Sequence, residues 1–313
     1  MNRLFVTSTA LLFFSLPGAV QSGFAQAEGV VNTQTLIQLD TKSDMVPAMA
    51  DVHISVDGKH EELTGWTRVP PNGAQIAILI DDGLRETVGR ELNSLKSFVA
   101  GLPPGTQIYI GYMRNGTVET AQRFTTELAE ASQRFRLPVG SAGISASPYF
   151  CLSEFVKHWP TDPSQPGARF VLMITNGVDP YNGSTSPMNQ DSPYVQAAEI
   201  DAQRAGVSVS SIYYADAGFR GNRGSFSGQG YLSQIADGTG GRAYFQGTEN
   251  PVSMAPFLAQ FQHAISETFV ATFPAKVKGK ELVRIKADTK TKGVKLRSPD
   301  AVRPGNAEMP QAD

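Results

Sequence analysis

The stretch Ala74-Gln75-Ile76-Ala77-Ile78-Leu79-Ile80-Asp81-Asp82-Gly83 sets the tightest limit on how this chain can fold: an apolar run without alternation that stops on two carboxylates and a glycine. A strand with neither face polar needs cover on both sides, which is the setting of a central strand in a parallel sheet between helices. Its acidic tip then lies at the carboxyl end of the sheet, where open α/β sheets bind ligands.

Helix and strand patterns alternate from Gly73 to Thr268. Val88, Leu92, Leu95, Phe98 and Val99 recur at helical spacing within 86–100. Residues 107–113 and 117–124 read as strands about an Asn115-Gly116 turn, and helices are expected at about 126–135 and 148–158. Arg169 to Thr175 is another covered strand, followed by the polar loop Asn176-Gly177-Val178-Asp179. A helix over 194–205, a strand over 207–214, a short helix over 231–236, a last strand near 243–245 and a closing helix over 254–268 complete the unit. The fold class expected for 73–268 is α/β, a doubly wound, mostly parallel sheet. Residues 215–230, with Gly218, Gly221, Gly224, Gly228 and Gly230, read as a loop too rich in glycine for regular structure.

Short β patterns flank this unit. Residues 28–72 contain an alternating segment at Val52 to Val56 before an Asp57-Gly58 turn, and Pro70-Pro71-Asn72-Gly73 forms a hinge. Residues 269–298 return to β, and both flanks are expected to pair into one small sheet beside the main domain. The polar tail 299–313, with Pro304, Gly305 and Pro310, is expected to be disordered.

Residues 1–27 have a basic start, an apolar middle and an Ala25-Gln26-Ala27 finish, the pattern of a secretory signal peptide. Export to the periplasm or the medium is therefore expected, with no transmembrane segment in the mature chain. Cys151, the single cysteine, excludes an internal disulfide and reads as a buried small hydrophobe. With 27 basic and 29 acidic side chains, the formal charge of −2 supplies no electrostatic reason to expect nucleic acid as a partner.

Three features together carry a family resemblance: the strand ending Ile80-Asp81, the strand ending Thr175-Asn176-Gly177, and Leu232-x-x-Ile235-Ala236-x-x-Thr239-Gly240-Gly241-Arg242 before the last strand. In these the chain resembles a von Willebrand factor A (VWA) domain. With its flanks it is similar to secreted bacterial VWA-related proteins best known from acidobacteria. The resemblance implies an adhesion or assembly module in which a divalent cation at the carboxyl end of the sheet completes its shell with a partner's carboxylate. It also implies an Asp-x-Ser-x-Ser loop, a threonine from a middle loop and an aspartate after the fourth strand as ligands.

This sequence departs from that pattern. Asp81 matches the first aspartate, but Gly83 and Arg85 stand at the serine positions, and Asn176 replaces the later aspartate. Ser147 or Ser145 would supply the middle-loop hydroxyl, and Asp82 and Asp179 are nearby carboxylates. Two readings stand. One is a degenerate, weakened Mg²⁺ or Ca²⁺ site made of Asp81, Ser147, Asn176 and Asp179, with Arg85 able to take the cation's place. The favoured one has Asp81 as a helix cap and Asn176-Gly177 as a turn, with no cofactor.

Other motifs exclude chemistry more than they suggest it. His53, His60, His158 and His263 lack the short spacings of a zinc site, and neither a phosphate-loop ending nor a Gly-x-Ser-x-Gly elbow occurs. Loop aromatics at or near the carboxyl end, Tyr181, Tyr194, Tyr213, Tyr214, Phe219, Phe226 and Tyr231, suit a protein-binding face if exposed and equally suit packing inward over the sheet edge. The function expected is an exported, non-enzymatic module of the VWA type. It would engage an unidentified protein partner through Asp82, Arg85, Tyr181, Phe219 and Phe226. Two alternatives are a metal-dependent hydrolase using the same carboxylates, and an envelope protein binding a polyanion through the basic stretch from Lys276 to Arg297.

Overall fold

The computed structural model describes residues 29–41, 45–140, 147–161, 166–179, 181, 192–215, 221–277 and 282–306, with backbone alone at 221–226. The expected signal peptide, Ser145, Phe219, the Phe226 side chain and the tail beyond Asn306 lie outside this description.

In chain order, β1 (Gly29–Thr41), β2 (Val52–Val56), β3 (Lys59–Glu61) and β4 (Gly65–Arg68) precede the α/β unit. That unit runs β5 (Ala74–Asp81), α1 (Leu92–Ala100), β6 (Gln107–Arg114), β7 (Thr117–Thr125), α2 (Leu128–Ser132), α3 (Pro148–Lys157) and β8 (Ala168–Thr175). It continues with α4 (Pro193–Arg204), β9 (Val207–Tyr213), α5 (Gly221–Gly238), β10 (Ala243–Tyr244) and α6 (Ala255–Ser266). The chain then returns to β with β11 (Thr268–Val277), β12 (Val283–Thr289), β13 (Val294–Arg297) and β14 (Ala301–Val302).

The central sheet has the order β10-β9-β8-β5-β6-β7, and every neighbouring pair is parallel except β6 with β7. The side chains of β5 alternate between two cores. Ile76, Ile78 and Ile80 join α1 and α6 residues such as Leu95, Val99 and Phe261, while Ala77 and Leu79 join Tyr149, Leu152, Val195 and Ile235 from α3, α4 and α5. The strand is thus covered on both faces, and each fully buried Ile or Leu stabilises the unit by roughly 1.5–3 kcal/mol relative to exposure.

The flanks form two sheets, not the single one expected from sequence. Their orders are β13-β1-β11-β4 and β14-β12-β2-β3. β2 and β12 alternate buried and outward residues, so their sheet has one apolar face, and that face packs on Phe273 and Ala275 of the other sheet. Each sheet covers the other, which a lone sheet of this pattern could not do.

Three further expectations are corrected. The tail is ordered through Asn306: β14 pairs with β12, the Asp300 N–H donates to Gly238 O at 3.0 Å, and the Gly305 N–H donates to Thr33 Oγ1 at 3.0 Å. Its polar composition is offset by backbone pairing. The short helix at 231–236 is the end of α5, which begins at Gly221 inside the expected loop. Glycine lowers intrinsic helix propensity, but at Gly228 it also lets the helix approach the Asn176 carbonyl, where a Cβ would collide. Finally, the helix over 86–100 opens with a 3₁₀ segment, Glu86–Glu91, and the one near 126–135 is only Leu128–Ser132.

The platform is tied to the α/β unit by charge and backbone. Arg297 donates to Asp237 at 2.6 Å, Arg242 pairs with Asp40 at 3.1 Å, and α6 leads directly into β11. Among the described residues no helix is long and apolar enough to cross a membrane.

Candidate functional site

The unit's own strands, counted from one to six along the chain, lie in the order 3-2-1-4-5-6, with the third strand reversed at the edge. The order switches between β5 and β8, and in such sheets the crevice at the carboxyl ends of those two strands is the natural ligand position. Asp81 ends β5 and Thr175 ends β8. The unit thus has a doubly wound, VWA/Rossmann-like fold.

No family model matches the sequence, and no curated protein matches it. Among solved structures, the chain is similar to an aerotolerance-related membrane protein from Bacteroides fragilis NCTC 9343, at 12% identity and TM-score 0.42, covering 62% of this chain and 98% of that one. It is also similar to the conserved hypothetical protein BatB from Bacteroides thetaiotaomicron, at 14% identity and TM-score 0.42 with the same coverage. The SpRpn10 VWA domain aligns at 7% identity and TM-score 0.37, over 59% of this chain and 93% of that chain.

Within this crevice the chain's own groups occupy the polar atoms. Thr175 Oγ1 donates to Asp81 Oδ2 at 2.7 Å, and the Gly83 N–H donates to Asp81 Oδ1 at 2.9 Å. Asp81 therefore closes a tight turn and bridges β5 to β8; it does not cap the following helix as expected, because the 3₁₀ opening of that helix starts only at Glu86, with Arg85 at its cap position and no side-chain cap bond. Asn176 Oδ1 accepts from the Val178 N–H at 3.0 Å, the side-chain turn anticipated for Asn176-Gly177. Gly177 takes a positive φ of 65°, and a Cβ there would run into Gly228 and Leu232, so the turn is backed directly by α5. Tyr149, from α3, donates its hydroxyl to Gly177 O at 2.7 Å. Burial, then the charges of Asp179, Tyr231 and Asp81, hold the Tyr149 phenol well above its ordinary value, so it stays a donor.

Asp179 is likewise engaged. Its Oδ2 accepts from Ser192 Oγ at 2.6 Å and its Oδ1 from the Tyr181 N–H at 3.1 Å. Ser192 also caps α4, accepting from the Tyr194 and Val195 N–H groups. Ser147, fully buried, caps α3 by accepting from the Tyr149 N–H at 3.3 Å. Phe150, the third residue after Ser147, contacts the rings of both Tyr181 and Tyr194, with centroids 5.2 and 4.7 Å away. One aspartate and two cap serines thus position a three-ring cluster whose Tyr181 is 55% exposed.

These residues do not fit the ligand shell implied by the family resemblance. Each oxygen of Asp81 and Asp179 already accepts a hydrogen bond from the chain, as do Asn176 Oδ1 and Ser147 Oγ, and Gly83 and Arg85 supply no hydroxyl. Mg²⁺ needs several hard oxygens in near-octahedral array, and Ca²⁺ needs more. Among the described residues no group of three or more His, Cys, Asp or Glu side chains is placed to hold a metal ion.

The expected partner face needs correction at Asp82. Its side chain is completely buried, so it presents nothing to a partner. Arg136 Nη1 donates to Asp82 Oδ1 at 2.7 Å, the Val139 N–H reaches the same oxygen at 2.9 Å, and the Arg136 guanidinium lies 3.7 Å from the centroid of the Tyr112 ring. Arg85 and Tyr181 are exposed as expected, while Tyr213, Tyr214 and Tyr231 are buried. Lys276, Lys286, Lys290, Lys292 and Lys295 are exposed on the platform.

Sequence reasoning missed Ser192, Tyr149 and Arg136. Ser192 could have been found, because serine before Pro193 is a helix-start signal. Arg136 had no local signal, since its partner lies 54 residues away.

Proposed function

We propose that this protein is an exported, non-catalytic binding module of the VWA type that docks a protein partner at the carboxyl end of its sheet without a divalent cation. The observation that carries this reading is the seating of Phe150, Tyr181 and Tyr194 on the Asp179–Ser192 network. Aromatic side chains held in place by a polar scaffold offer large contact area at small entropic cost, and tyrosine and phenylalanine are enriched at interface cores. Oxygens that would ligate a cation elsewhere serve here as braces for that surface.

The test is a photocrosslinking side chain placed at Tyr181 in the native host, with the exposed Arg134, two residues beyond α2, as a control position. A discrete adduct at 181 that persists in chelator, is absent at 134 and is lost on Tyr194→Ala is the expected result. No adduct, or equal adducts at both positions, would overturn the docking face. A Mg²⁺- or Ca²⁺-dependent rise in Tm abolished by Asp81→Ala would overturn cation independence, because only binding to the native state raises its stability.

A further inference from the structure

The opposite, amino-terminal edge of the central sheet carries an open polar cleft of about 740 Å³. Four elements meet there: the end of α3 at Lys157, the start of β8 at Arg169, the end of α4 at Arg204, and the platform turn from Arg303 to Asn306. The turn is pinned, since the Gln34 N–H donates to Asn306 O at 2.7 Å and the Gly305 N–H to Thr33 Oγ1 at 3.0 Å. Arg303 on it is exposed.

Four permanent cations line the cleft, and among the described lining residues Asp201 is the one carboxylate. Asp201 is shared: Lys157 Nζ lies 2.8 Å from it, Arg204 Nη1 lies 3.1 Å from it, and Ser153 Oγ donates to it at 2.6 Å. Arg169 donates to Ala205 O at 3.2 Å and stands 5.7 Å from the centroid of Trp159. Four cations against one anion leave a local formal excess of three positive charges in a protein whose formal charge is −2. Cations at helix C-termini offset the helix dipole, which accounts for Lys157 and Arg204. Arg169 serves the same end through its bond to Ala205 O at the C-terminal cap of α4, but Arg303, which the platform brings across from another part of the fold, has no such explanation.

We propose that this cleft binds a small multivalent oxyanion, a polycarboxylate or polyphosphate, between the α/β unit and the platform. The volume lies in the range of small-molecule sites, several times what a single phosphate fills. Arginine forks match the planar oxygen pairs of carboxylates and phosphates, and three arginines converge here. The site is independent of the carboxyl-end docking face and stands or falls separately from it.

Isothermal titration of the full chain with citrate and with pyrophosphate, at ionic strength held constant with NaCl, tests the proposal; acetate and inorganic phosphate serve as single-group comparisons. Saturable one-site binding of at least one multivalent anion is expected, weakened about tenfold or more by Arg303→Ala and by Lys157→Gln, the cost of a lost charge-assisted hydrogen bond. Arg134→Ala, in an exposed pair with Glu130, should leave it unchanged. Preference for pyrophosphate or for citrate assigns the polyphosphate or the polycarboxylate. Absence of saturable binding, binding indifferent to Arg303 and Lys157, or equal loss in Arg134→Ala would overturn it. Arg303→Ala changes an exposed side chain, so its fold, checked by circular dichroism, should persist even if Lys157→Gln disturbs Asp201.

Discussion

Thr175 donates its hydroxyl to Asp81 across the boundary between the two central strands, at 2.7 Å. Both side chains are buried, and the bond lies where the strand order reverses. At the point where a fold of this kind offers its ligand crevice, the first aspartate is therefore committed to holding the sheet together.

Thr175→Val keeps the shape and removes that donor. A buried carboxylate oxygen left short of a partner costs ~1–3 kcal/mol. Urea denaturation should show a lower midpoint by that amount with an unchanged slope, since the surface exposed on unfolding is the same.

The Asp82–Arg136 pair should respond asymmetrically. Arg136→Ala leaves a fully buried carboxylate with the Val139 N–H and a more distant Arg114 at 4.0 Å, and should destabilise by at most about 3 kcal/mol, the lower end for a broken buried pair because Arg136 is itself partly exposed. The double variant Asp82→Asn/Arg136→Gln should recover part of that loss. Equal stability of single and double variants in denaturant titrations would contradict the pairing.

Cys151 should be chemically silent in the native protein. It is completely buried, and burial, followed by the charge of Asp81, pushes its thiol up to about 12. The thiolate is the reactive form, so labelling by a disulfide reagent at pH 8 should proceed only as fast as the protein opens. Rapid labelling under native conditions would contradict this placement.

Acid stability should depend on Asp201. Burial opposes its charge, but hydrogen bonds from Lys157, Ser153 and Arg204 prevail and hold its pKa below the ordinary 3.8. A carboxylate depressed in the folded state contributes stability above its unfolded pKa and loses that contribution as pH falls through the folded value. Stability should thus decline below about pH 4, and Asp201→Asn should flatten that acid limb while lowering stability at neutral pH.

Much of the fold was legible because its signals are local. The unbroken apolar run from Ile76 to Ile80 can be satisfied only by cover on both faces, and the two hydrophobic clusters that split its alternate residues supply that cover. The Asx-type turn at Asn176 was readable for the same reason: the side chain bonds its own backbone two residues on. The first half of α5 was not, because its glycines argue locally against a helix while close contact with the 176–177 turn requires one of them, Gly228.

The sequence by itself determined that a covered parallel strand would end on acidic residues at the carboxyl edge of an α/β sheet, since hydrophobic periodicity is written in neighbouring residues. Only the tertiary structure decided what those carboxylates do. Asp81 meets Thr175 from 94 positions away and Asp82 meets Arg136 from 54, and pairings over such separations arise from strand order and burial, which no local pattern encodes. The platform's division into two sheets was settled the same way, by which apolar faces found each other once the ends of the chain came together.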